Sequence, residues 1–327
     1  AEKKIERNLL LDGSLYGMGK GAGNTPIELL AMYMRENRGA NYHISQLLEA
    51  IDVTIQDCFR MTPWGYSLKF FIAASNDCHP NYVAALMEKK KLSVKSINEI
   101  LATIPKEQKL LYNNELIEEL YRDYQAISYD DNAELCKLVS EWKDRNILFV
   151  APGKRAGEVA AINDYREKNE AIVVSVNFIP ENIIPDYVFM SNAKRYVKLA
   201  GKLSETLREE RSIKTIATSN VTRARGRFDY VLEYESLLDE DALIKDNPIF
   251  MLLKLCKLAG AKEVALAGFD GYEKCADTNY VNPNMEYVFS KEKAEVLNED
   301  TAEGIKRAGL PCPIVFVTKS LYERFFI

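Results

Sequence analysis

The second part of the chain alternates between short apolar runs and longer amphipathic stretches. Six runs rich in β-branched and aromatic residues are predicted to be strands, at 146–152, 171–178, 186–191, 214–219, 264–269 and 313–318. Helical spacing of apolar residues separates them, at 155–168, 193–210, 248–260 and 291–308. Because nearly continuous apolar runs are typical of strands buried on both faces, this alternation predicts an α/β domain with a Rossmann-like open parallel sheet.

The first part of the chain has mostly helical periodicity, with one apolar strand candidate at 8–12. Thr25, Pro26 and Glu28 are typical of a capping box, in which Thr25 is the N-cap and Pro26 takes the first helical position. Gly39 is predicted to end that helix. Further helices are predicted at 44–55, at 66–75, from Pro80 onward, at 92–104 and at 113–127.

Composition narrows the classes of function. The 327 residues are 47% hydrophobic and 28% charged, which is typical of a chain with a packed core. The formal net charge of -5 argues against broad nucleic-acid binding, because such proteins present a basic surface. No apolar run approaches the roughly 18 residues of a membrane helix, and the first residues lack the apolar core of a signal peptide. We therefore predict a cytoplasmic protein that binds neither nucleic acid nor membrane.

The cysteines and histidines form no catalytic or zinc motif. The six cysteines are scattered without a C-x-x-C pair, which favours a reducing compartment. The two histidines, His43 and His79, are far apart in the sequence, so a zinc site with His/Cys spacing is not predicted. A Ser–His catalytic pair has no supporting pattern.

Candidate ligand-binding residues follow two predicted strands of the second part. Gly153, Lys154 and Arg155 form a glycine turn after the first of these strands, and Asp270 follows the fifth. Ligands of open α/β sheets bind at the carboxyl ends of strands, so the turn predicts a nucleotide or sugar-phosphate pocket, with an ordinary βα turn as the alternative. Asp270 is a candidate for binding a ribose or sugar hydroxyl or a metal, and the alternative is a turn aspartate that caps its own backbone.

Three arginines in the run TRARGR, Arg223, Arg225 and Arg227, follow another predicted strand. They are candidates for a phosphate clamp, because a guanidinium group binds phosphate through paired hydrogen bonds. The alternative is a solvated run of charges.

The second part of the chain resembles the sialyltransferase-like and pterin-diphosphokinase-like α/β domains. The resemblance is carried by the strand, glycine turn and helix start at 150–157 and by the helix and strand at 247–270, which end in GFD. Those families have more Gly, Asn and Ser-Leu in the first loop than the APGKRAG of this chain. The resemblance therefore implies a nucleotide-type pocket, without a particular transferase activity.

A sharper resemblance lies at residues 9–30, LLLDGSLYGMGKGAGNTPIELL. This stretch resembles the seventh strand, loop and helix of metal-dependent aldolase barrels, namely the 4-hydroxy-2-oxovalerate aldolases and the related isopropylmalate synthases and hydroxymethylglutaryl-CoA lyases. The shared features are Asp–small–Ser at the strand end, the loop GMGKGAGN and an apolar helix. Residues 62–101 resemble, less closely, the helical region that follows the barrel and contacts a partner dehydrogenase.

The aldolase resemblance implies roles for particular residues. Asn24 lies where family members place an amide that contacts a divalent metal, Mn²⁺ or Mg²⁺, which polarises a 2-oxo acid substrate. Tyr66 corresponds to a catalytic tyrosine that closes over the substrate. The residues implied to line the substrate are Asp12, Ser14, Gly17, Gly19, Gly21 and Gly23.

The main metal ligands of that family have no counterpart in this sequence. They are an aspartate on the first strand and an H-x-H pair on the sixth, and the chain contains no H-x-H. The resemblance therefore implies the carboxyl-terminal part of an aldolase, which by itself neither binds the metal nor turns over substrate. Four segments are expected: 1–62 as the last part of a (β/α)8 barrel, 63–127 as a helical lid, 128–145 as a linker and helix, and 146–327 as the Rossmann-like domain.

Three functions remain open. The first is part of a metal-dependent aldolase, a carbon–carbon lyase that acts on a small 4-hydroxy-2-oxo acid. The second is a nucleotide or nucleotide-sugar binding module, or a transferase, in the α/β domain. The third is docking, either to a partner dehydrogenase or to a second copy of the chain.

Overall fold

The computed structural model describes residues 10–126, 129–210, 212–222, 228–285 and 293–326. Contacts within the chain divide it into two compact units. Unit 1 consists of Ala1–Ala85 and Ile104–Asn114, and unit 2 consists of Leu86–Thr103 and Glu115–Ile327. Part of the segment 63–127, which the resemblance assigns to a lid, therefore groups with the sheet of unit 2.

Unit 1 is mainly helical over its described residues. Its helices are α1 (Ile27–Arg38), α2 (Ile44–Ala50), α3 (Gln56–Met61), α4 (Leu68–Ser75) and α5 (Pro80–Glu88), the last of which continues into unit 2. A π-helical turn at Ile51–Ile55 joins α2 to α3, so the helix predicted at 44–55 is confirmed and is longer than predicted. Gly39 ends α1 in the left-handed conformation, as predicted.

The capping box predicted at the start of α1 is wrong. Pro26 is the N-cap, and its side chain forms no capping hydrogen bond. The Glu28 carboxylate accepts a hydrogen bond from the backbone N–H of Tyr16 (3.0 Å), which lies in the preceding loop. The carbonyl of Thr25 accepts a hydrogen bond from the N–H of Ser14 (3.0 Å), so Thr25 belongs to that loop and not to the helix start.

The strand predicted at 8–12 is absent over its described residues, 10–12. Residues 8 and 9 lie outside the described residues. A strand needs a neighbour that satisfies its backbone N–H and C=O groups. In the described part of unit 1, β-type pairing is limited to a single bridge between Ser14 and Pro26. The expected remnant of a barrel therefore has no strand to support it in this part of the chain.

Unit 2 contains a parallel sheet of seven strands within the described residues. They are β1 (Asn146–Val150), β2 (Ile172–Val176), β3 (Tyr187–Met190), β4 (Lys214–Thr218), β5 (Tyr230–Leu232), β6 (Glu263–Ala267) and β7 (Ile314–Phe316). The order across the sheet is β5-β4-β3-β2-β1-β6-β7, and each neighbouring pair is parallel. The α/β class and all six predicted strands are confirmed. The seventh, β5, escaped prediction because it is three residues long and follows a highly charged sequence.

Helices pack on both faces of the sheet of unit 2. The helices described in this unit are α6 (Val94–Thr103), α7 (Asn114–Gln125), α8 (Asn132–Trp142), α9 (Val159–Asn169), α10 (Ala193–Glu209), α11 (Ser219–Thr222), α12 (Pro248–Ala259) and α13 (Ala294–Arg307). Buried residues of α8 and α12 share a core with Ile147 and Phe149 of β1. On the other face, α9 packs with Leu148 and Val150. Because successive side chains of a strand point to opposite faces, the continuous apolar run of β1 serves both cores.

The order of the strands reverses between β1 and β6. From β1 to β5 each new strand is added on one side, and the chain then returns to place β6 on the other side of β1. In open parallel sheets such a reversal leaves a crevice at the carboxyl ends of the two strands, and ligands bind there. The carboxyl ends of β1 and β6 are therefore the place to look for a ligand site.

Candidate ligand-binding cleft

A cleft opens at the carboxyl ends of β1 and β6. Its inner part has a volume of about 100 Å³ and is lined by residues that follow β1, β2 and β6. Its outer part has a volume of about 740 Å³ and extends over the ends of β2 and β3 to the helical residues of unit 2 that precede the sheet. The residues that line both parts are Asn177, Arg195, Asn247, Pro248, Tyr272 and Tyr280.

Two glycines bring the ends of β1 and β6 close together. The N–H of Gly153 donates to the carbonyl of Gly268 (2.9 Å). A Cβ at Gly153 would lie 2.2 Å from the Gly268 carbonyl oxygen, and a Cβ at Gly268 would lie 2.2 Å from the Ala151 carbonyl oxygen. Both distances are far shorter than van der Waals contact, so only glycine fits at either position.

Asp270 lies next to this glycine pair, with one carboxylate oxygen held and the other unpaired. Its Oδ2 accepts a hydrogen bond from the N–H of Arg155 (2.8 Å), and its backbone carbonyl accepts one from the N–H of Leu321 (2.9 Å). Its Oδ1 is buried and has no hydrogen-bond partner among the described residues. Burial raises the pKa of Asp270 to about 6, against the opposing effect of Arg155. Unpaired buried carboxylate oxygens are costly, and such groups are concentrated at functional sites.

The turn that carries Asp270 is fixed by its surroundings. Asn298 of α13 binds both the N–H and the carbonyl of Tyr272 (2.8 and 2.9 Å). The Ser320 hydroxyl donates to the carbonyl of Phe269 (2.6 Å). The backbone is therefore held on both sides of Asp270, and this holds the position of the carboxylate in the cleft.

A buried amide joins the ends of β2 and β3. Asn177 follows β2, is 2% exposed and has a left-handed backbone (φ 57°). Its Oδ1 accepts hydrogen bonds from the N–H groups of Ser191 and Asn192 (2.8 and 3.2 Å), and its Nδ2 donates to the Ser191 hydroxyl (3.0 Å). The Asn192 side chain in turn caps α10 by accepting from the N–H of Arg195 (3.0 Å). These bonds position the first turn of α10 at the cleft.

Arg195, in the first turn of α10, is the cation that lines both parts of the cleft. Its guanidinium lies 5.4 Å from the centre of the Tyr280 ring. Tyr280 is buried and pairs with Gly153 in an isolated antiparallel bridge. A guanidinium placed over an aromatic ring at the start of a helix is suited to an anion, because the helix dipole adds positive potential there.

The outer part of the cleft is lined by charges of both signs. Lys91 pairs with Asp246, and Lys89 pairs with Glu118 (2.7 Å). The second carboxylate oxygen of Asp246 accepts a hydrogen bond from the Tyr234 hydroxyl (2.9 Å). Burial, together with the charge of Asp246, raises the pKa of Tyr234, so this group remains a hydroxyl donor at neutral pH. The ion pairs balance their own charges, so this part of the cleft offers polar and aromatic surface in place of a strong field.

The structure brings together two of the four residues predicted to bind a nucleotide. Gly153 and Asp270 both line the inner part of the cleft. Lys154 is exposed and Arg155 pairs with Glu158 (2.8 Å), so the two cationic side chains do not line either part. The N–H groups of this turn donate to acceptors within the protein. The turn therefore serves to place Gly153 and to hold Asp270.

Three lining residues of the cleft, Asn177, Arg195 and Tyr280, are not among those predicted from the sequence. Asn177 lies at the end of a predicted strand and Arg195 at the start of a predicted helix, so the polar residues that follow each strand are the signal that indicates both. Tyr280 lies in a loop without a recognisable pattern. The candidate phosphate clamp of Arg223, Arg225 and Arg227 lies outside the described residues.

The glycine-rich loop of unit 1 closes on itself. The N–H of Asn24 donates to the carbonyl of Gly17 (2.9 Å). The Ser14 hydroxyl and the Asn24 Nδ2 both donate to the carbonyl of Met18 (2.6 and 2.9 Å). A Cβ at Gly23 would lie 2.6 Å from the Gly17 carbonyl oxygen. The close packing of the loop on itself is therefore enough to explain why Gly17 and Gly23 are glycines.

The residues that the aldolase resemblance implies lie in and near this loop. Asp12 and Asn24 are both exposed and line one open cavity of about 540 Å³. Gly19 and Gly21 are half-buried positions of the same loop. Tyr66 is 82% exposed and does not line that cavity. The structure thus brings together the candidate metal contact, Asn24, and two candidate substrate residues, Asp12 and Gly23, and leaves the candidate catalytic residue apart from them.

Comparison of the chain with protein-family models, with curated proteins and with solved structures gave no match. Within the described ranges, no three His, Cys, Asp or Glu side chains are grouped so that they could hold a metal ion. In the same part of the chain, the helices are too short or too polar to cross a membrane.

Proposed function

We propose that unit 2 binds a phosphorylated small molecule of the nucleotide or nucleotide-sugar class in the cleft at β1 and β6. One observation carries this proposal. Asn177, Arg195 and Asp270, which follow β2, β3 and β6, converge on the crevice where the strand order reverses. Because ligands of open parallel sheets bind at that crevice, the convergence supports a binding site.

The lining of the cleft suits the parts of a nucleotide. Arg195 and the first turn of α10 suit a phosphate, because a guanidinium and helix N–H groups both bind anions. Tyr272 and Tyr280 offer aromatic faces for a base or a sugar. The outer part, at about 740 Å³, lies within the range of roughly 300–1,000 Å³ that is typical of small-molecule sites.

Isothermal titration calorimetry on the whole chain tests the proposal. The probes are the mono- and diphosphates of adenosine, guanosine, cytidine and uridine, together with UDP-glucose. We expect at least one probe to bind and to raise the unfolding temperature. Arg195→Gln should weaken that binding about tenfold or more, because it removes a charge-assisted hydrogen bond to phosphate.

Lys168→Gln is the matched control. Lys168 lies on α9, is 70% exposed in its side chain and pairs with Asp164, and it does not line the cleft. This variant also removes one positive charge, so an unchanged affinity would show that Arg195 acts locally. Absence of binding by every probe, or an equal loss in both variants, would overturn the proposal.

A second candidate function is suggested by unit 1. We propose that it contributes one βα loop to a metal-dependent aldolase, the class that residues 9–30 resemble. The observation in favour is that Asp12 and Asn24 line one open cavity. Apolar side chains on α1, such as Leu29 and Tyr33, are also exposed and suit packing against neighbouring elements of a barrel.

The aldolase proposal requires metal ligands that residues 1–327 do not supply as an H-x-H pair. The test is to sequence the gene that encodes this chain and to look for a first-strand R-D-G motif and an H-x-H motif in the same reading frame. A protein that contains them should cleave a 4-hydroxy-2-oxo acid with Mn²⁺, and Asn24→Ala should slow the reaction about tenfold or more. A reading frame without both motifs would overturn the proposal.

A further inference from the structure

The inner end of the cleft has a feature that phosphate binding does not explain. Asp270 is held through Oδ2, and its Oδ1 is buried without a partner in the part of the chain that the structure describes. A carboxylate repels phosphate, so this group does not serve the anionic part of a ligand. The unpaired Oδ1 of Asp270 is a hydrogen-bond acceptor, so the part of a ligand that binds it must be a hydrogen-bond donor.

The lining of the inner part limits what that donor belongs to. Ile249 and the ring of Tyr322 contribute apolar surface to the same lining, which suits the C–H groups of a sugar.

We propose that Asp270 Oδ1 accepts a hydrogen bond from a sugar hydroxyl of the ligand, while Arg195 binds the adjacent phosphate. The inner part of the cleft is then the sugar subsite, and the outer part holds the rest of the molecule. This inference rests on the proposed function and names the part of the nucleotide or nucleotide-sugar that enters the cleft most deeply. The hydroxyl belongs either to the ribose or to a second sugar on the diphosphate.

The surroundings of Asp270 are organised for this contact before a ligand arrives. The N–H of Arg155 fixes one oxygen, and the backbone on either side is held by Ser320 and Asn298. The glycine pair lets the ends of β1 and β6 approach each other closely beside the carboxylate. With a pKa of about 6, raised by burial, the group is mostly ionised at neutral pH and is a strong acceptor.

The first test compares two variants by calorimetry on the whole chain, using the nucleotide probe that the unchanged protein binds most tightly. Asp270→Asn retains an acceptor for the N–H of Arg155 and removes the carboxylate, so the affinity should fall about tenfold or more. Glu303→Gln is the matched control, because Glu303 is an exposed acid of α13 that does not line the cleft. Its affinity should be unchanged.

Deoxy analogues identify the hydroxyl without altering the protein. If the ribose occupies the subsite, the 2′-deoxy or 3′-deoxy form of the same nucleotide should bind the unchanged protein about tenfold more weakly. Asp270→Asn should then bind the deoxy and ribo forms equally, because the interaction is already lost. If a second sugar occupies the subsite, UDP-glucose should bind more tightly than UDP, and Asp270→Asn should abolish that advantage.

The inference and the proposed function fail in different ways. Suppose that a nucleotide binds the unchanged protein, and that Asp270→Asn, the deoxy forms and the second sugar all leave its affinity the same. The sugar subsite would then be overturned, and the nucleotide site would stand. Absence of binding by every probe to the unchanged protein would overturn both.

Discussion

A carboxylate lies at each edge of the sheet in unit 2, and the two carboxylates differ in how many hydrogen-bond donors surround them. At the amino edge, Glu141 of α8 accepts hydrogen bonds from the hydroxyls of Tyr187 and Tyr230 and from the ammonium of Lys214 (2.7 Å). These donors lie at or near the first residues of β3, β5 and β4. At the carboxyl edge, Asp270 has one donor and one unpaired oxygen.

The pKa values of the two carboxylates shift in opposite directions. Burial raises the pKa of Glu141, but the hydrogen bonds from Lys214 and the two tyrosines outweigh it and hold the pKa below its ordinary value. For Asp270, burial dominates and the pKa rises to about 6. A carboxylate placed for stability is surrounded by donors, whereas one placed for a ligand lacks a donor until the ligand binds. This difference supports the proposal that the carboxyl edge binds a ligand.

The largest effect is expected at the glycine pair that shapes the carboxyl edge. Gly268→Ala would place a Cβ 2.2 Å from the Ala151 carbonyl oxygen at a left-handed position (φ +67°). We expect the free energy of unfolding to fall by about 3 kcal/mol or more, because backbone strain and steric overlap add. The measurement is urea unfolding followed by the fluorescence of the fully buried Trp142, in a Trp64→Phe background that removes the other tryptophan.

Gly157→Ala is the control for this prediction. A Cβ at Gly157 meets no atom within 4 Å, so its effect on the free energy of unfolding should stay within about 0.5 kcal/mol. Equal effects at the two positions would show that the ends of β1 and β6 are not held together, and the geometry argued for the cleft would not stand.

A smaller loss is expected at the amino edge. Glu141→Gln should lower the free energy of unfolding by about 2 kcal/mol at pH 7, because the amide is uncharged and has one accepting oxygen, whereas donors bind both oxygens of the carboxylate. Since the pKa of Glu141 is lower in the folded state, its contribution is present above the ordinary value of 4.5 and is lost as the pH falls through the folded value. The difference between the two proteins should therefore shrink in acid, as measured by urea unfolding from pH 3 to pH 7.

The structure also shows which features were predictable from sequence. The six predicted strands are long β-branched runs, and Gly153 and Asp270 are predictable as lining residues of the cleft because each directly follows one of them. The capping box failed because a loop amide twelve positions away, that of Tyr16, binds the Glu28 side chain. Lys154 and Arg155 carry the charge expected near a phosphate, but the 3-10 turn at Lys154–Gly157 does not place them in the lining of the cleft.

The convergence of Asn177, Arg195 and Asp270 was not predictable from local sequence. It depends on β6 lying beside β1 instead of beside β5, and no single stretch of the chain encodes that order. The unpaired Oδ1 of Asp270 likewise follows from how Arg155 and the neighbouring backbone are placed. The sequence therefore predicts which residues lie at strand ends, whereas the order of the strands in the sheet determines which of those residues lie close together.

The smallest effect, and the most informative one, is expected for the stability of Asp270→Asn. A pKa raised from 3.8 to about 6 in the folded state means that the folded protein binds this proton more tightly, so stability falls as the pH rises from about 4 to about 6. The cost at neutral pH is about 3 kcal/mol. The amide NH₂ group of the variant is also polar, so burying it retains part of that cost. The free energy of unfolding of the variant should therefore exceed that of the unchanged protein by about 1 kcal/mol at pH 7, and this gain should disappear below pH 4.

A gain in stability together with a loss of nucleotide affinity would separate the two carboxylates by experiment. If Asp270 were structural, as Glu141 is, removing its charge would lower the free energy of unfolding at pH 7, and urea unfolding would show it. Functional sites commonly retain groups that destabilise the empty protein, because those groups are satisfied only when the ligand binds. Asp270→Asn and Glu141→Gln should therefore shift the free energy of unfolding at pH 7 in opposite directions, although each replaces a carboxylate by an amide.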